Sequence, residues 1–212
     1  MGTKRDKRKA RKKVKSYVMD MEAWSAKTDA QLWDEQGFVA YKEAQGLFVL
    51  GVMGFAGSWK RSGKQGDVLE RWVGAMREAL REQFLSWKEE HGDRLVIASG
   101  ATNLGVLQVT YALCEEMGIW AMGVAPDRVL RYALGKMQHM LPYGKQFGDE
   151  SGVFLRVSDA FLLLGGGTQS QRETLLGYEL GKPVTIVQGF GGVADTFSEE
   201  QMSEAVFVRK DI

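Results

Sequence analysis

Short apolar runs that end in or near glycine, each followed by a helical stripe, are what most limit the folds open to this chain. LFVLGVMGF (47–55), RLVIAS (94–99), IWAMGVA (119–125), FLLLGGG (161–167) and VTIVQGF (184–190) are such runs, and AVFVR (205–209) is a shorter sixth. Runs that are apolar throughout, without alternation, belong to strands covered on both faces. After the first run Asp67 opens a helix whose Val68, Leu69, Trp72, Val73, Met76, Leu80 and Phe84 fall on one stripe, and Gly92 ends it. A second helix over 106–117 stops at Gly118, and a third over 170–180 stops at Gly181 and Pro183. Strands alternating with such helices make βαβ units. The expected fold is therefore α/β, a Rossmann-like parallel sheet with helices on both faces.

This domain is expected over 47–212, with a helical N-terminal extension over 16–46 in which Asp29 caps a short helix carrying Leu32, Trp33 and Gln36. Residues 3–15 read TKRDKRKARKKVK and hold nine Lys or Arg and one acid. The formal net charge of +1 therefore divides into a basic tail, residues 1–15, and a remainder with 19 basic and 26 acidic residues. Such a tail has no apolar face to repay its ordering entropy. It suits contact with nucleic acid or another acidic partner through residues 4–15, or simple solvation. One cysteine and two histidines argue against a disulfide framework and a metal site. No run approaches the ~20 apolar residues of a membrane span, and the start lacks a signal-peptide core. The expectation is a soluble, cytoplasmic protein with no membrane partner.

Glycine makes up 26 of 212 residues, well above the usual ~7%, and its clustering needs a local cause. Four clusters follow strands: Gly54 to Ser58, Ser99 to Thr102, Gly165 to Thr168, and Gly189 to Gly192. In an open parallel sheet these turns line one edge, where ligands bind. Glycine permits close backbone approach, and helix N-termini there favour anions. A ligand carrying phosphate or ribose fits. The dinucleotide fingerprint is not clearly present and no phosphate-loop lysine motif occurs, so neither a standard dehydrogenase nor a P-loop ATPase is supported, and no cofactor is expected.

The turns also carry a resemblance. VMGFAGSW, SGATNLGV, GVAPD, SDAFLLLGGG, GGTQSQRE and GFGGVAD, in this order, resemble the motifs of the LOG (Lonely Guy) family, often labelled "possible lysine decarboxylase", within the SLOG superfamily. The last segment is similar to that of molybdenum-cofactor carrier-like proteins. The match spans roughly residues 47–208. It implies a Rossmann-like, usually dimeric protein with a nucleotide or sugar phosphate at the glycine edge. LOG enzymes hydrolyse nucleoside 5′-monophosphates to base and ribose 5-phosphate, whereas other SLOG members bind nucleotide-derived signals.

The departures from this pattern matter. Glu173 stands at the family's motif glutamate, which makes it the catalytic candidate; its other role is a first-turn acid at a helix N-terminus. The family's Arg-Lys pair falls on Glu150 and Ser151, and Gln169 and Ser170 replace a glycine and a threonine. With the cation gone, binding without turnover is expected, of a small nucleotide or ADP-ribose-like ligand. The phosphoribohydrolase is the alternative and a nucleic-acid-associated protein the third reading. Expected ligand contacts are Gly57, Ser58, Trp59 (stacking on a base), Gly100, Ala101, Thr102, Asp149, Glu150 and Ser151 (ribose hydroxyls). Gly165, Gly166, Gly167, Thr168, Gln169, Ser170, Arg172 (phosphate), Gly191 and Gly192 complete the set. Gly166→Val is expected to block the ligand and spare the fold. His139 lies over the site or is structural, His91 is solvated or caps a helix, and Cys114 is core. A homodimer or higher homo-oligomer is expected through helices carrying Trp72, Trp87 and Leu113.

Overall fold

The computed structural model describes residues 17–211, so the basic tail lies outside the described residues. Among the described residues the strands are β1 (Gln31–Leu32), β2 (Phe48–Gly54), β3 (Leu95–Ser99), β4 (Trp120–Ala125), β5 (His139–Pro142), β6 (Ala160–Leu164), β7 (Val184–Gln188) and β8 (Val206–Arg209). They form one sheet in the order β1-β5-β4-β3-β2-β6-β7-β8, and every neighbouring pair is parallel. The helices are α1 (Met21–Ser25), α2 (Glu35–Gln45), α3 (Gly66–His91), α4 (Gly105–Met117), α5 (Ser151–Val157) and α6 (Thr168–Glu179). The fold is Rossmann-like.

Alternate strand residues feed two cores. Leu50, Val52, Ile97, Leu162 and Leu164 pack with Met76, Leu80 and Phe84 of α3 and with Val106, Val109 and Leu113 of α4. Val49, Met53, Val96, Ala98, Phe161 and Leu163 face Phe38 of α2 and Val153, Phe154 and Val157 of α5. Period-two side-chain alternation in fully covered strands produces this division. From β2 the chain winds outward through β3, β4 and β5, then returns past β2 and winds the other way through β6, β7 and β8. The reversal between β2 and β6 is the switch point at which such sheets bind ligands.

The sheet has two strands that the apolar runs do not announce. β1 has two residues and β5 has four, ending in Pro142, and both lie towards one edge. In the 16–46 segment, Leu32 belongs to β1 and the helix starts later: Asp34, not Asp29, accepts the Gly37 N–H at 2.7 Å. Edge pairing of Gln31 with His139 takes precedence over the local cap. Lys42 of α2 holds Asp159 at 2.6 Å, and the other Asp159 oxygen accepts the Val49 N–H at 2.8 Å. Trp24 of α1 donates to Asp127 at 2.7 Å. Among the described residues no helix is long and apolar enough to cross a membrane.

Helix α5 decides where the site's acids lie. A Cβ on Gly51 of β2 would come within 2.8 Å of both the Phe154 ring and Ser158 Oγ, so α5 packs closely on the central strand because that position is glycine. Glu150 and Ser151, the expected contacts of ribose hydroxyls, stand at the start of this helix and are carried to the carboxyl edge of the sheet.

Candidate functional site

A cleft of about 580 Å³ opens at the carboxyl ends of β2, β3 and β6. Its floor is apolar, with Val52, Met53, Leu107, Val124 and Phe154, and its walls are the turns after those strands. Gly165 and Gly166 take positive φ, 69° and 86°, and deliver the chain into α6 through Gly167, an N-cap with no capping side chain. The first N–H groups of a helix have no acceptor within it and sit at the positive end of its dipole. Thr168, Gln169 and Ser170, which begin α6, line the cleft.

Two acids face these groups. Glu150 and Glu173 are each 6% exposed. The Gln169 amide bridges them, donating at 2.9 Å to an oxygen of each. Ser151 Oγ donates to Glu173 at 2.5 Å, and the Gly148 N–H donates to Glu150 at 2.8 Å. Burial pushes both carboxyl pKa values up, more than these donors pull them down, and each also feels a neighbouring acid: Glu150 beside Asp149, Glu173 beside Glu150. Among the described residues no lysine or arginine lines the cleft. Thr102 lines it too; its hydroxyl is buried and has no hydrogen-bond partner among the described residues.

The structure brings Gly57, Ser58, Gly100, Thr102, Glu150, Gly167, Thr168, Gln169, Ser170 and Glu173 to this one cleft. Ser151 does not line it but reaches it through Glu173, to which it donates, and through Gln169, from which it accepts at 3.4 Å. Ala101 is buried behind its turn with φ 66°, the only positive φ outside glycine among the described residues, and its N–H donates to Tyr111 Oη at 3.0 Å. Asp149 is exposed and closes its own turn, accepting from the Lys145 and Gln146 N–H groups at 2.9 Å. These bonds hold its carboxyl below the usual range. Arg172 is exposed outside the cleft lining. Trp59 lies edge-on to Trp72, ring centres 5.8 Å apart, and is also outside the lining.

Gly165, Gly166, Gly191 and Gly192 line a second cavity of about 330 Å³. Their neighbours correct the expectation for Gly166. A Cβ there would meet Ser170 Cβ at 2.8 Å on a positive-φ backbone, so Gly166→Val strains the fold before it meets any ligand. Gly167, with φ −129° and open space where its Cβ would stand, is the position that a side chain can occupy.

Sequence reasoning missed the mouth of the cleft. Tyr132 and Phe147 stand there with ring centres 6.2 Å apart, and the Arg128 guanidinium lies 5.4 Å from the Phe147 ring. Both come from irregular segments, where no periodicity marks them. His139 is not over the cleft. It is buried in β5 among Trp33, Phe38 and Tyr41, accepts from Trp33 Nε1 at 3.1 Å, and has its pKa lowered by burial. His91 is neither solvated nor a cap but stacks on Phe48, ring centres 3.7 Å apart. Cys114 is buried on α4, and burial pushes its thiol pKa up. Among the described residues no group of His, Cys, Asp and Glu is placed to hold a metal ion.

No family model and no curated protein matches the chain. Solved structures match it at low identity. TM1055 is 20% identical with a TM-score of 0.54, covering 78% of this chain and 93% of that one. The molybdenum cofactor binding protein from the phototrophic bacterium Rippkaea orientalis is 14% identical with a TM-score of 0.56, covering 77% and 90%. DNA processing protein A (DprA) from Streptococcus pneumoniae is 14% identical with a TM-score of 0.53, covering 77% and 59%. What this chain shares with them is the fold.

Proposed function

We propose that the cleft binds a small nucleotide or ADP-ribose-like ligand and does not turn it over. The observation that carries this reading is the Glu150–Gln169–Glu173 bridge in a cleft that, among the described residues, has no lining cation. A phosphoribohydrolase must hold a 5′-phosphate dianion beside the scissile bond and keep a carboxylate free to stabilise the oxocarbenium-like centre. Here the residue at the cation's position is an acid. Like charges a few ångströms apart repel by on the order of 1 kcal/mol or more at a partly desolvated site. Glu173 itself is engaged by Ser151 and Gln169.

The same groups suit the uncharged end of a ligand. Ribose hydroxyls and ring N–H groups are donors, and buried carboxylates accept them strongly. The unpartnered Thr102 hydroxyl and the aromatic pair at the mouth favour a polar, planar occupant. The Rippkaea protein of the same fold is named for binding a cofactor, which supports a binding role. Of the residues from which a homodimer was expected, Leu113 is fully buried within the chain, while Trp72, beside Trp59 and Phe190, and Trp87, beside Phe48, are half-buried.

Mass spectrometry of small molecules released from the purified, denatured protein is expected to find a nucleotide-type compound. Incubation with a panel of nucleoside monophosphates, followed by chromatography, is expected to yield no free base. Robust turnover lost in Glu173→Ala would instead establish the phosphoribohydrolase.

A further inference from the structure

The second cavity lies across Phe55 from the cleft, and that side chain lines both. We infer that the cavity beside Lys64 takes the phosphate or diphosphate of a ligand whose hydrogen-bond-donating end sits at Glu150 and Glu173. This rests on the function proposed above and assigns the ligand's polarity.

Charge separates the two chambers. Among the described residues the cleft lining contains two carboxylates and no cation, whereas the second lining contains Lys64 and no carboxylate. A phosphorylated ligand that fills the cleft meets repulsion at the acids and attraction on the far side of Phe55. Lys64 is available to it: half-buried, with no acidic partner among the described residues, its Nζ lies 5.6 Å from the centre of the Trp72 ring. A cation over a half-buried ring such as Trp72 is held by about 0.5–2 kcal/mol, and a phosphate oxygen offers a stronger, charge-assisted bond.

Space is the second argument. Gly189 and Gly192 are explained by packing, because a Cβ on either would strike backbone at 2.1 Å and 2.6 Å. Gly191 is not: its φ is 77° and nothing stands within 4 Å of where its Cβ would be. Gly165, with φ 69°, meets only the Gly191 carbonyl at 3.7 Å. The main chain is thus bare towards the cavity at two points, where a phosphate-sized group can approach. Asp195 already accepts the N–H groups of Gly189 and Gly191 at 2.8 Å each. Those amides shape the loop, and Lys64 supplies the counter-charge.

Calorimetry with ADP-ribose, AMP and adenosine on wild type, Lys64→Met, Lys64→Arg and Gly167→Val tests the inference. Lys64→Met is expected to weaken ADP-ribose and AMP about tenfold or more and leave adenosine unchanged, and Lys64→Arg to stay within about threefold of wild type. Unchanged affinities in Lys64→Met, with binding lost in Gly167→Val, would overturn the Lys64 subsite and leave the cleft as the binding site. Equal weakening of all three compounds by Lys64→Met would also overturn it, since loop shape and not charge would then be responsible. If none of the three binds wild type, the proposed function falls, and this inference with it.

Discussion

Glu173 is a residue that the fold alone does not require. It is buried with no cationic partner among the described residues, and burial raises its pKa above the ordinary 4.5. The folded chain therefore retains a proton that the unfolded chain releases. Stability that this group contributes is fully present below about pH 4.5 and is lost as pH rises through the raised folded value. Glu173→Gln keeps an acceptor for Ser151 and Gln169 and removes the charge. It is expected to raise stability at pH 7.5 by on the order of 1 kcal/mol, with the gain vanishing near pH 4, as urea midpoints at the two pH values will show. The same variant should bind ADP-ribose more weakly. Gain in one property and loss in the other is the mark of an acid retained for its ligand. Thr102→Val, by contrast, should leave stability within about 1 kcal/mol of wild type, since its hydroxyl makes no bond among the described residues. It should also weaken ligand binding about three- to tenfold, read by calorimetry.

At the scale of elements, the turns after strands do the work, and two of them make different predictions. The β3–α4 turn is pinned by Tyr111, whose hydroxyl accepts the Ala101 N–H at 3.0 Å and donates to the Met122 carbonyl at 3.2 Å. Tyr111→Phe removes the acceptor of the buried Ala101 N–H and one donor to the Met122 carbonyl, and should cost about 1–2 kcal/mol in a denaturant titration. At the start of α6, Gly166→Val should be strongly destabilising, whereas Gly167→Val should keep the circular dichroism spectrum and lose ADP-ribose binding. From the sequence these two glycines are indistinguishable, because what separates them is whether Ser170 stands behind the missing Cβ. The central strands were legible because burial on both faces leaves an unbroken apolar run. β1, β5 and α5 were not: two, four and seven residues are too few to show a period, and Gly152 interrupts the last.

For the whole molecule, the switch between β2 and β6 fixes where the candidate cleft lies, and that position was readable from glycines following apolar runs. Its chemistry was readable only in part. Glu150, Gln169 and Glu173 stood out as departures from a motif, but that one amide joins the two acids depends on α5 packing against Gly51. Tyr132, Phe147 and Lys64 come from segments without regular pattern, and only the folded chain brings them to the rims. The basic tail belongs to this scale as well. Deleting residues 1–15 is expected to leave ADP-ribose affinity unchanged and to abolish any DNA binding that weakens steeply with salt, measured by gel shift at two ionic strengths.

The loops after β6 and β7 are interlocked. The Val193 and Ala194 N–H groups donate to the Gly166 and Gly165 carbonyls at 3.2 and 2.9 Å, and a Cβ on Gly192 would strike Gly166 O. Where the two loops touch, this rib beside the second cavity is main chain against main chain, while the Asp195 carboxylate holds the loop after β7 by accepting the Gly189 and Gly191 N–H groups. Point mutation can break the main-chain contact but cannot retune it. A different ligand preference would have to be installed from the rims, by changing Tyr132 and Phe147 at one opening or Lys64 at the other, while the rib keeps its shape.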